Sequence, residues 1–138
     1  MYERVADLMT ERVFSVAPRD DLSVISNVLD DHGVRHVPVV EDESRLVGVV
    51  SQRDLLRYSL LQGSDSDRNL EETALTELRA EDVMSAAETV EEDTPLREAA
   101  SIMLENKFGC LPVVRGEALV GILTESDFVR AAVSRERW

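Results

Sequence analysis

The stretch Leu46-Val47-Gly48-Val49-Val50-Ser51-Gln52-Arg53-Asp54-Leu55-Leu56-Arg57 returns further along the chain as Leu119-Val120-Gly121-Ile122-Leu123-Thr124-Glu125-Ser126-Asp127-Phe128-Val129-Arg130. Its two glycines, Gly48 and Gly121, stand 73 positions apart (121 − 48). Each copy reads as a short apolar strand ending on a hydroxyl residue, with an aspartate three positions later and a helix of apolar periodicity after that. The chain is therefore built twice, and any site belongs at two equivalent places. A Ser or Thr followed three residues on by an acid is, taken alone, the capping box that starts many helices. The full frame of two apolar residues, Gly, two apolar residues, Ser/Thr, two variable residues and Asp, set at equivalent points of two repeats, carries more than capping does.

Working outward, Arg35-His36-Val37-Pro38-Val39-Val40 precedes the first copy as a strand. The polar turn Glu41-Asp42-Glu43-Ser44-Arg45 joins the two into a hairpin. Pro38 lacks a ladder donor, so its place is an edge or an irregularity. Upstream, Leu22, Ile25, Val28 and Leu29 form the apolar face of a helix that Asp20 or Asp21 caps and Gly33 ends. Before it, Val5-Ala6-Asp7-Leu8-Met9-Thr10 reads as a helical turn leading to a short extended piece at Val13–Val16. The second repeat follows the same order. Ala80 to Ser85 matches Val5 to Thr10, and Glu88-Thr89-Val90 is the short strand. Thr94 caps a helix with Pro95 at its first position, and Gly109 to Val114 matches Arg35 to Val40. Gly116 turns the hairpin. The expected organisation is repeat one at 1–62, a linker with a short helix (Leu70, Ala74, Leu75, Leu78) at 63–79, repeat two at 80–134, and a tail at 135–138.

The 138 residues, 43% hydrophobic and 31% charged, are enough for one domain with a real core. The formal net charge of −13, from 28 acidic and 15 basic residues, repels phosphate backbones and makes nucleic acid and anionic membrane poor partners. Lys107 is the single lysine. Acidic surplus with arginine in place of lysine points to a salt-rich, halophilic cytoplasm in which self-repulsion is screened, with an acidic protein from a GC-rich genome as the alternative. No apolar run approaches the roughly 18 residues of a membrane span, and the first residues lack a signal-peptide shape, so the reading is cytoplasmic. The lone Cys110 fits a reducing compartment.

The order and spacing of these features resemble a tandem pair of cystathionine-β-synthase (CBS) domains over residues 4 to about 134. The resemblance rests on Asp7-Leu8-Met9-Thr10 with Asp82-Val83-Met84-Ser85, on Val37-Pro38-Val39-Val40 with Leu111-Pro112-Val113-Val114, and on the frames at 48–54 and 121–127. It implies an α/β fold of the α+β type, in which two βαββα repeats pack about a pseudo-twofold axis. It also implies a non-enzymatic regulatory module, with AMP, ADP, ATP or S-adenosylmethionine held in clefts between the repeats and a partner protein regulated. One cleft would combine Ser51, Arg53 and Asp54 with Ser85, Glu88, Cys110 and Leu111. The other would combine Thr124 and Asp127 with Thr10, Val13, His36 and Val37.

Elementary chemistry supports the same residues. An ionised aspartate offers two acceptor oxygens to the paired hydroxyls of a ribose, and the adjoining helix start presents unpaired N–H groups to an anion. Arg53, which forks onto phosphate, has Ser126 as its counterpart, so the first cleft is expected to prefer phosphorylated ligands. The second is expected to be weaker for them, empty, or suited to a cation such as S-adenosylmethionine. His36 is as readily a backbone-satisfied strand-end residue as a ligand contact, His32 suits a helix C-terminus, and Cys110 reads as a small filler rather than a reactive thiol. Met9 and Met84 read as core. No metal-ligand or nucleophile–base spacing appears. Surplus apolar surface on the helices at 51–61 and 124–133 predicts a homodimer, and a ligand-free dimerisation scaffold is the alternative function.

Overall fold

The computed structural model describes residues 2–62 and 77–134, the side chains of 59–62 excepted. Residues 63–76 of the expected linker at 63–79, the tail at 135–138, and the apolar side chains of Leu60 and Leu61 lie outside the described residues. Two compact units are present, one of residues 14–86 and one of residues 1–13 with 87–138.

In the first unit, helix α2 (Leu22–His32) leads to strands β1 (His36–Glu41) and β2 (Arg45–Ser51), then to helix α3 (Gln52–Gln62). Asp21 is the residue that caps α2: its carboxylate accepts from the Ser23 and Val24 amides, while Asp20 accepts from Ala17 instead. Gly33 ends the helix at φ 61°, where a side chain would be strained. Leu22, Ile25 and Leu29 face the core with Val37, Val39, Val50 and Leu55. β1 and β2 pair antiparallel with a register shift between Val39 and Val40. The Pro38 carbonyl accepts from the Val16 amide at 3.0 Å, which turns the donorless proline nitrogen to that side and away from the β2 ladder. The expected extended piece at 13–16 is thus reduced to one parallel bridge, Val16 to Val39.

The second unit repeats this with β3 (Val90–Glu91), α5 (Leu96–Asn106), β4 (Cys110–Arg115), β5 (Ala118–Thr124) and α6 (Glu125–Ser134). β3 runs parallel to β4, as a connection through a helix requires, and β4 and β5 form the hairpin. Two readings of the sequence need correction here. The short strand lies at Val90–Glu91 rather than Glu88–Val90. Thr94 does not cap α5; its hydroxyl accepts from the Glu91 amide, and the helix begins after Pro95, its first free amide taken by the Glu3 carbonyl at 2.9 Å. The left-handed position that ends α5 is filled by Lys107, φ 58°, where the first unit has glycine.

The opening helices are exchanged between repeats. Helix α1 (Val5–Leu8) belongs to the unit that contains repeat two, and helix α4 (Ala80–Val83) to the unit that contains repeat one. Val5 is fully buried among Val90, Leu111, Val113 and Leu123, and Ala80 and Val83 are buried among Leu22, Val37 and Val50. Each exchange is fixed by backbone hydrogen bonds: Thr10 and Ile122 bond reciprocally at 2.8 and 2.9 Å, as do Ser85 and Val49 at 2.9 and 3.0 Å. The repeat boundaries legible in sequence are therefore not the boundaries of the compact units.

The frame glycines make those bridges feasible. A Cβ on Gly48 would come within 2.6 Å of the Met84 sulfur, and one on Gly121 within 2.7 Å of the Met9 sulfur and 3.1 Å of the Thr10 carbonyl oxygen. The methionines read as core thus lie directly on the glycines. Because Thr10 is backbone-tethered, Gly121→Ala is expected to lower stability by about 1 to 3 kcal/mol in denaturant unfolding; an unchanged midpoint would contradict this packing.

The Asp21 cap gives a pH-dependent prediction. The Ser23 hydroxyl, followed by the Val24 and Ser23 amides, holds its carboxyl below the ordinary range. A depressed carboxylate contributes stability that is complete above the unfolded value and lost as pH falls through the folded one. Asp21→Ala should cost about 1 kcal/mol at neutral pH, and the gap from the parent protein should close below pH about 4. A gap that persists undiminished at low pH would show that the carboxylate charge is not what caps the helix.

Candidate ligand-binding site

Each unit carries one polar corner where the hairpin's second strand meets its helix. In the first unit Ser51 ends β2 and Asp54 lies in the first turn of α3. The Asp54 Oδ2 accepts from the Ser51 amide at 2.9 Å, and the Ser51 hydroxyl accepts from the Asp54 amide at 3.0 Å. The expected capping box is thus present. It occupies only one carboxylate oxygen: among the described residues no group donates to Asp54 Oδ1. Ser85, two residues beyond the exchanged α4, reaches this corner through its bridge to Val49, two positions before Ser51, and its side chain is exposed. His36 stands directly opposite Ser51 in the β1–β2 register, and Val37 beside it is buried. Arg53 is exposed on the same helical turn as Asp54 and makes no ion pair among the described residues.

The second unit builds the equivalent corner from Thr124, Asp127 and Thr10. Asp127 Oδ2 accepts from the Thr124 amide at 2.8 Å and its hydroxyl at 3.2 Å. Oδ1 accepts from the Thr10 hydroxyl at 2.8 Å and from the Arg130 guanidinium. Asp127 is only 2% exposed and is the one buried charged residue among those described. Cys110 faces Thr124 across the β4–β5 register, Leu111 is buried in this unit's core, and Val13 and the exposed Glu88 belong to the same unit.

Ser51, Arg53, Asp54, Ser85, His36 and Val37 thus belong to one unit, and Thr124, Asp127, Thr10, Val13, Glu88, Cys110 and Leu111 to the other; Glu88, Cys110 and Leu111, expected with Asp54, and His36 and Val37, expected with Asp127, are each in a different unit from that aspartate. Sequence reasoning missed Arg130. Its i, i+3 spacing from Asp127 was visible, but the same spacing separates Asp54 from Arg57, where no pair forms among the described residues. The described residues hold no group of three His, Cys, Asp or Glu placed to bind a metal ion.

Burial pushes the Cys110 thiol up to about 12. The reactive species is the thiolate, so the native chain at pH 8 should resist alkylation by more than about a hundredfold relative to the chain in denaturant. Equal labelling in the two states would show that Cys110 is open.

Duplicated α/β units, each closed by the other repeat's opening helix and each bearing a hydroxyl–aspartate corner, define a tandem-repeat module with paired polar sites. A family model described as the CBS domain matches residues 5–61 and 80–134, and the chain belongs to this family. In sequence it is 36% identical to the chloroplastic CBS domain-containing protein CBSX2 of Arabidopsis thaliana, over 96% of this chain and 65% of that protein; the chain thus spans a little under two-thirds of that relative's length. In structure it is similar to an acetoin utilization protein, AcuB, from Vibrio cholerae (TM-score 0.81, 33% identity, 97% of this chain and 93% of that one). It is also similar to CBSX2 solved in complex with AMP (TM-score 0.79, 34% identity, 97% and 98% coverage). Among the described residues no helix is long and apolar enough to cross a membrane.

Proposed function

We propose that this chain is a non-enzymatic regulatory module that binds an adenosine-containing ligand, with the Ser51/Asp54 corner as its principal site. The observation that carries this reading is the Oδ1 of Asp54, which has no donor among the described residues, beside a helix start. A carboxylate oxygen left free for one ribose hydroxyl, with the second oxygen shared, is the acceptor pair a vicinal diol requires. The binding of AMP by CBSX2 supports an adenosyl ligand. Arg53, exposed one residue away, would receive the phosphate, and Ser85 and His36 border the corner. The ligand set is AMP, ADP or ATP ahead of S-adenosylmethionine, because an exposed guanidinium next to the site favours anions.

An acidic protein that takes an anionic ligand needs local positive charge to overcome its own field, and Arg53 with the α3 amides supplies it. The output would be a change in shape or association passed to a partner protein in a salt-rich cytoplasm. The exposure of Leu56 on α3 and of Val129 and Val133 on α6 favours a homodimer. The same apolar residues also favour the second reading, a scaffold that associates without ligand.

A melting experiment separates the two. AMP at a hundredfold its dissociation constant should add about 2.7 kcal/mol, a rise of several degrees in Tm, and Asp54→Ala should abolish the rise. Arg53→Ala should weaken AMP by about tenfold and adenosine little. A Tm indifferent to AMP, ADP, ATP and S-adenosylmethionine at both low and high salt would leave the scaffold.

A further inference from the structure

The two corners share sequence frame, backbone bridge and capping geometry, yet their carboxylates are in different states. Asp54 keeps one oxygen without a donor among the described residues. Asp127 has none to spare: a carboxylate offers about four acceptor positions, and the Thr124 amide, the Thr124 hydroxyl, the Thr10 hydroxyl and the Arg130 guanidinium converge on them. A ribose diol approaching Asp127 must displace Thr10 or Arg130. Thr10 is β-branched and its backbone is bonded twice to Ile122, so its hydroxyl is held in place. Arg130 lies on the exposed turn of α6, its side chain 66% exposed, and shields the carboxylate from solvent on that side.

We propose that Arg130 is a built-in occupant of the second site: its guanidinium takes the place on Asp127 that a ligand's ribose would take, and it limits the chain to one adenosyl ligand. This rests on the reading of the hydroxyl–aspartate corner as a ribose site. The matching residue in the first unit, Arg57, is exposed and makes no ion pair among the described residues, which leaves Asp54 open. The same guanidinium neutralises Asp127 and so removes the charge that would have drawn a cationic ligand such as a sulfonium to this corner. The second site is thus selective against both ligand classes through one side chain, and a partner or salt that draws Arg130 away would open it.

Calorimetric titration of the full chain with AMP tests the proposal. The parent protein should bind one AMP per chain. Arg130→Ala and Arg130→Ser, each with an unchanged circular dichroism spectrum, should bind two. The added site should be at least about tenfold tighter than any second binding in the parent, the fold-change for one charge-assisted hydrogen bond. Combining either variant with Asp127→Asn should remove the added site. Combining it with Asp54→Ala should leave the added site alone in place, so loss at Asp54 and gain at Asp127 are read separately. Two filled sites in the parent, the second lost with Asp127→Asn, would overturn the proposal. So would folded Arg130 variants with the parent's stoichiometry. Binding in the parent that survives Asp54→Ala would instead refute the principal site.

Discussion

One backbone bridge in each unit governs everything that follows. Where Thr10 meets Ile122 and Ser85 meets Val49, two hydrogen bonds clamp the end of a one-turn helix to the middle of a hairpin strand. The strand residue before each clamp is a glycine over which a methionine lies, and any larger side chain there would push the helix off. Through that clamp a short segment with little stability of its own, four helical residues, becomes part of a core. It also delivers a hydroxyl residue to the neighbourhood of an aspartate more than thirty positions away in the first unit and 117 positions away in the second. Packing and site geometry therefore have the same origin.

The clamp also explains how a repeated sequence acquires unequal sites. The backbone is duplicated closely, down to the register shifts between Val39 and Val40 and between Val113 and Val114. What differs is the side chain on each side of the clamp. Threonine in one corner and serine in the other, together with an arginine that pairs in one and not in the other, convert a solvent-facing carboxylate into a buried one. A buried carboxylate is stable only when its acceptor capacity is filled, and Asp127 meets that condition from within the protein. Asp54, half-buried, meets it on one oxygen.

Much of this was legible in the sequence. The repeated Gly-x-x-Ser/Thr-x-x-Asp frame, the apolar period of α2, the glycine after it and the hairpins all rest on local chemistry, and the structure bears them out. The capping boxes at Ser51 and Thr124 were equally readable. The exchange of opening helices was not legible in local chemistry, because Val5 and Ala80 look alike in context; only the family resemblance, which set Ser85 with Asp54 and Thr10 with Asp127, implied it. The Thr94 correction has a similar cause: a distant carbonyl, that of Glu3, took the role that a local side chain usually fills. Arg130 was hidden for a third reason, since Arg57 has the same spacing and only the surroundings decide which of the two pairs.

The central claim is that a carboxylate at the start of α3 grips a sugar through its diol. The most direct measurement compares AMP with its 2′,3′-dideoxy analogue in equilibrium binding to the same protein preparation. The account predicts that removing both hydroxyls weakens binding by about tenfold or more, the worth of a charge-assisted hydrogen bond, and that Asp54→Ala erases the difference between the two ligands. Equal affinity for the two in the parent protein would mean that Asp54 serves helix initiation alone.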